Sequence, residues 1–320
     1  MHIFSCLEIE GSFHDSNYGM KHHFTILKEE YNQWEELSRK CITLGCNSEL
    51  YAILFQIPSY IPAEDIDMVL ETYTKISEAV EEGSFKHLLD SYPEVFDSLS
   101  NYAPISIFDS HFKTLYEQKE IILSLIDLFK QILKGVWNRF YEKYWEKEIY
   151  TKLEKRVVNL NIVISPINLI SLWQKHLKID FPYQEFIAYL VEPTTTLATT
   201  LLAEKIMISL SNEDVDLYKI IIHEIGRVFI LNSQIFEHET LKTIAQSNIE
   251  RLTQIVDAAC IYLKSNIFKT LNLKEIDSDP YNVTPINEIL PIFTQIWETM
   301  KKKDVYQAII ETYNKLFPVV

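Results

Sequence analysis

Only 6 glycines serve a chain of 320 residues, and that scarcity limits its possible folds more than any other feature. Tight hairpin turns need residues that accept positive φ, and loops that cradle nucleotides need several glycines within a few positions. An all-β fold with many short strands is therefore disfavoured, and helix is expected to dominate. The apolar share of 47% and aromatic share of 12% are enough to bury one large or two modest domains.

Apolar periodicity places the helices. Phe24 to about Ile42 repeats at helical spacing, and Asn47 to Ile57 reads as a short second segment whose type stays open. Pro62 and Ala63 introduce a helix through Glu82 that buries Val69, Tyr73, Ile76 and Val80 and stops at Gly83. Ser110 to about Val157 reads as two amphipathic helices with a break near Gly135, and the aromatic stripe with Trp137, Tyr141 and Trp145 reads as core. A helix near Ile167 to Leu177 precedes two apolar runs, Phe186–Val191 and Leu201–Leu210, which are expected to be adjacent strands joined by a solvated link holding Pro193 and the threonine cluster Thr194–Thr196 and Thr199–Thr200. Ser211 to Asp214 then supplies a cap and acids for a helix to about Leu231, and two helices near Pro285–Met300 and Asp304–Leu316 close the chain.

A formal net charge of -15 is unsuited to a polyanion, so nucleic acid is not an expected partner. The first residues lack a basic region before the acids Glu8 and Glu10 and do not read as a signal peptide. The uncharged stretch between Arg156 and Lys175 contains Asn159, Asn161, Pro166 and Asn168, which argues against a membrane span. Cysteines at 6, 41, 46 and 260 have neither metal-binding spacing nor the density of a disulfide scaffold, so the default compartment is the cytoplasm. No G-x-S-x-G elbow, P-loop or dinucleotide fingerprint appears in the sequence.

One constellation carries chemistry. Residues 223–227 read His223-Glu224-Ile225-Gly226-Arg227 inside an apolar helix, one residue away from H-E-x-x-H. In that pattern two histidines one helical turn apart grip a zinc ion while the glutamate polarises the bound water. Downstream, Asp257-Ala258-Ala259-Cys260-Ile261-Tyr262 places a carboxylate and two small residues on a second helix. Taken alone, His223 beside three isoleucines is a core histidine, Glu224 a partner for Arg227 or a nearby Lys, and Asp257 a carboxylate needing a cation, for which Arg227 is the first candidate.

From about Ser165 to Ile267 the chain resembles zinc metallopeptidases of the gluzincin kind, especially their compact variety. The resemblance implies an α+β, predominantly helical fold with a small sheet and central helices, divided as an N-terminal helical region (1–164) and a zincin-like core with C-terminal capping helices (165–320). It aligns His223 with the first metal ligand, Glu224 with the general base and Asp257 with a shortened third ligand, while Arg227 replaces the second histidine. A guanidinium has no lone pair to give a metal and repels a dication. Arg227 is therefore read as a site-replacing cation between Glu224 and Asp257. The expected function is that of a degenerate relative that binds a peptide or protein without metal or cleavage, with the strand Leu201–Ser209 as the edge for backbone pairing. One alternative is an active zinc-dependent peptidase with rearranged ligands, in which His238 or Glu250 joins His223 and Asp257. Another is a helical interaction protein in which the motif is accidental. The pair His22-His23 reads as exposed surface.

Overall fold

The computed structural model describes residues 27–44, 50, 52–96, 102, 104–139, 145, 147, 149–191, 198–202, 204–209, 214–271, 279–281 and 283–317. Cys6, His22, His23, Cys46, Tyr141, Pro193, Thr194–Thr196 and Ser211–Glu213 lie outside them. Among the described residues the chain is predominantly helical with one small sheet. It forms two compact units, each discontinuous in sequence: one of 1–100, 104–159 and 189–211, the other of 101–103, 160–188 and 212–320. A division at 164/165 follows sequence order, whereas these units follow packing.

The first unit is built on α1 (Lys28–Thr43), α2 (Ile66–Glu82), α3 (Ile105–Tyr116) and α4 (Lys119–Arg139). Helix α2 starts later than Pro62 because the Asp65 side chain accepts from the Met68 N–H at 2.8 Å and so caps the helix there. It ends at Gly83, whose φ of 64° is the left-handed conformation that favours glycine. The expected break at Gly135 is absent, since α4 runs through it. It ends four residues later at Arg139, and the stretch Ser110–Val157 holds parts of three helices, α3 and α4 separated at Glu117–Gln118 and a further one starting at Tyr150. Gly135 serves a close approach: a Cβ there would come within 2.7 Å of Glu30 Oε1 on α1. Of the segment 47–57, the described residues from 52 on form a π turn over Ala52–Gln56 that leads into one α turn, Ile57–Tyr60.

The sheet has three strands, β1 (Ile187–Val191), β2 (Ala198–Leu202) and β3 (Lys205–Ser209), in the order β1-β3-β2. The expected single strand over 201–210 is thus divided: the chain reverses after Leu202, and Thr199 and Thr200 pair antiparallel with Met207 and Ile206. Threonine is β-branched and suits a strand, which a reading of the cluster as a solvated link overlooked. The expected edge is corrected too, because β3 has a neighbour on each side and is buried along its whole length.

Helix α5 (Tyr150–Ile164) is followed by α6 (Leu169–Leu177), bent from it by 49°. Among the described residues no single helix is long and apolar enough to cross a membrane; this bent pair reaches the length only together. The second unit continues with α7 (Asp214–Ile230), α8 (Glu239–Thr270), α9 (Ile286–Thr299) and α10 (Val305–Leu316). Helix α8 packs on α7, α9 and α10, and it buries Leu252, Ile255, Val256, Leu263 and Ile267. Its backbone is interrupted at Asn248, with φ −160° and ψ 75°.

Candidate functional site

Helix α7 is apolar around most of its circumference, with Ile220, Ile221, Ile222, Ile225, Val228 and Phe229 all buried. Such a helix belongs in an interior, so any polar residue on it needs a partner. His223 and Arg227 stand one turn apart on one face. Trp173 of α6 sets the helix position: its indole N–H donates to the Ile222 carbonyl at 2.9 Å, and its ring leaves room only for a glycine at 226, where a Cβ would meet Cζ2 at 2.5 Å. Gly226→Ala should cost about 1–3 kcal/mol by overpacking, read as a fall in the urea midpoint without change in slope.

The structure brings His223, Glu224, Arg227 and Asp257 together. Arg227 Nη1 donates to both Glu224 carboxylate oxygens at 3.1 Å, and Arg227 Nε lies 3.0 Å from Asp257 Oδ1. That second contact is a charge pairing whose N–H is not aligned for a hydrogen bond. Burial alone would lower the guanidinium's pKa, but Glu224 and Asp257 raise it well above its ordinary value. At Asp257 burial wins: it raises the carboxyl above its usual range, and Arg227 and Lys264 offset only part of that.

His223 is fully buried, and its Nε2 lies 3.2 Å from Asp257 Oδ1. Burial first, then the positive charge of Lys264, pushes its pKa well below the ordinary 6.5. The ring is thus neutral; with Nε2–H donating to Asp257, Nδ1 is a bare lone pair, and it has no partner among the described residues. Above pH 6.5 the folded and unfolded forms both hold neutral imidazole, and below it only the unfolded form takes up the proton. Stability should therefore fall as pH drops below that value, by at most about 1.4 kcal/mol per pH unit from this group, and His223→Gln should flatten the slope in urea titrations between about pH 5 and 7.5.

Residues not singled out from sequence complete the cluster. The Tyr281 ring stacks flat on His223 at 3.7 Å between centroids and 5° between planes, and its hydroxyl donates to Glu224 Oε1 at 2.5 Å. Lys264, only 1% exposed, pairs with Asp279 at 2.7 Å. His238 is remote from these contacts in kind: it is exposed, precedes the first turn of α8, and its ring faces Tyr306 at 5.0 Å. Glu250 is exposed and accepts from Gln254. Tyr262 donates to Glu298. Cys260 is buried and its thiol is pushed up by that burial, and Cys41 is partly exposed.

A divalent cation does not fit these donors. Asp257 Oδ1 already faces both His223 and Arg227, Glu224 is held by Arg227 and Tyr281, and Arg227 itself would repel the ion. Among the described residues no group of three or more His, Cys, Asp and Glu side chains is placed to hold a metal.

No family model matches the chain, and neither a curated protein nor a solved structure matches it.

Proposed function

We propose that this chain is a metal-free, non-catalytic relative of the gluzincin metallopeptidases that binds a peptide or protein. The single observation that carries the reading is the Arg227 guanidinium, set between Glu224 and Asp257 on the helix turn where a second histidine ligand would stand. A fixed monocation there neutralises acids that a peptidase would turn toward its zinc, and it leaves no electron pair for a metal. Supporting it are the alignment of His223, Glu224 and Asp257 with the family motif and the presence of a small sheet in the chain. If a ligand pairs with the sheet backbone, it takes β1 or β2, because β3 already has two neighbours.

The test is metal content and cleavage by the purified chain. Expected are zinc far below one ion per chain, unchanged by His223→Ala, and no cleavage of an unfolded protein substrate. Stoichiometric zinc lost on His223→Ala, together with cleavage abolished by Glu224→Gln, would overturn the reading and select a working peptidase with other ligands.

A further inference from the structure

We propose that His223, Glu224 and Lys264 form the floor of a peptide site already filled by the chain's own segment Asp279-Pro280-Tyr281, and that its external ligand is a peptide with a carboxylate two residues before a tyrosine. The inference rests on the peptide-binding reading above and names the class of ligand.

The floor is polar and deeply buried. His223 is 0% exposed, and Glu224 and Lys264 are each 1% exposed, on two helices packed against each other. Each meets one part of the three-residue segment: Lys264 Nζ the Asp279 carboxylate, Glu224 the Tyr281 hydroxyl, and the His223 ring the Tyr281 ring. Asp279 Oδ1 also accepts from the Tyr281 N–H at 3.0 Å, which fixes acid and phenol relative to each other. Pro280 between them restricts the bend. The segment belongs to neither helix nor strand.

A cover needed only to close α7 against α8 would be apolar, since desolvating an ammonium, a carboxylate and an imidazole costs more than burying methyl groups. Instead the ammonium and the carboxylate of the floor each find a matching polar group, and the imidazole face a matching ring, on one short stretch of chain. Burial lowers the Lys264 pKa and Asp279 counters it, while Lys264 holds the Asp279 carboxyl below its usual range against the effect of burial. A few convergent polar groups around an aromatic ring is the ordinary chemistry of a specific pocket. As a tethered occupant, the segment competes at an effective concentration on the order of millimolar, so an external peptide with a dissociation constant of about 0.1 mM would bind the wild-type chain roughly tenfold more weakly than an emptied site.

The probe is a labelled synthetic peptide, Gly-Asp-Pro-Tyr-Gly with blocked ends, titrated against the whole chain by fluorescence anisotropy. Asp279→Ala with Tyr281→Ala should raise its affinity about tenfold over wild type, and adding Lys264→Met should abolish the gain. Replacing the peptide's aspartate by asparagine or its tyrosine by alanine should weaken binding to the double variant. If the double variant is unfolded alone, peptide at millimolar concentration should raise its melting temperature. The proposal is overturned by a folded double variant that ignores the peptide, by equal affinity in wild type and variant, or by an unfolded variant that the peptide does not stabilise. Binding of other unstructured peptides by a variant that ignores this one removes the ligand class and leaves the peptide-binding reading intact. Stoichiometric zinc with cleavage removes the non-catalytic reading and leaves the ligand class intact.

Discussion

Arg227→Met is expected to lower the unfolding free energy by about 3–5 kcal/mol, the cost of leaving buried charge without its counter-ion. Glu224 and Asp257 have side chains 1% and 11% exposed, so neither carboxylate can turn fully to water when the guanidinium goes. The loss should be measured by urea denaturation near neutral pH. Adding Asp257→Asn should return part of it, because two buried carboxylates then become one, and the non-additivity of the cycle reports the coupling directly. The pH dependence supplies a second readout. Without Arg227 the Asp257 carboxyl is raised further, the folded form holds its proton more tightly than the unfolded form, and the variant gains stability relative to wild type as pH falls toward the carboxylate range. A variant within about 0.5 kcal/mol of wild type would mean that the guanidinium does not neutralise these acids to any effect.

Trp173→Ala should be comparably severe, at about 3–5 kcal/mol for emptying the site of a fully buried indole. Trp173 is 0% exposed, fills the space above Gly226, and satisfies the Ile222 carbonyl on the helix that carries His223. Its removal leaves a void and also takes away the indole's hydrogen bond to the Ile222 carbonyl. Denaturant titration followed by near-ultraviolet circular dichroism should show an earlier transition. The pair with Gly226 gives the check on mechanism: Gly226→Ala, destabilising alone, should become nearly neutral once the indole it strikes is absent. If the two losses simply add, the contact between Trp173 and Gly226 is not what positions α7.

Much of the helical frame was legible because its signals are local. Val69, Tyr73, Ile76 and Val80 repeat at one turn and Gly83 supplies the stop, so α2 follows from neighbours in sequence. The Arg227 to Asp257 pairing was also within reach, since a carboxylate inside an apolar helix demands a cation and the motif offered one. Other features depend on approach between distant segments. Gly135 looks like a helix breaker until the Glu30 carboxylate is seen to occupy the space a side chain would need. Thr199 and Thr200 look like a loop until they pair with β3. Lys264 could have been found, because it lies two turns beyond Asp257 on the same helix and is equally costly to bury alone. Tyr281 and Asp279 stand in a stretch without periodicity, and nothing in their local sequence points to His223 or Lys264.

The interruption at Asn248 has its own consequence for how tolerant the chain is to change. The Asn248 side chain accepts from the Arg251 N–H at 3.1 Å, as a capping residue does at a helix start, so the stretch bearing Asp257 and Lys264 begins its own winding there. A residue inserted or deleted between Glu239 and Ser247 would shift the angular phase of that first stretch alone. The carboxylate and ammonium farther along would keep their bearing toward α7, insulated by a single asparagine from whatever evolution does upstream.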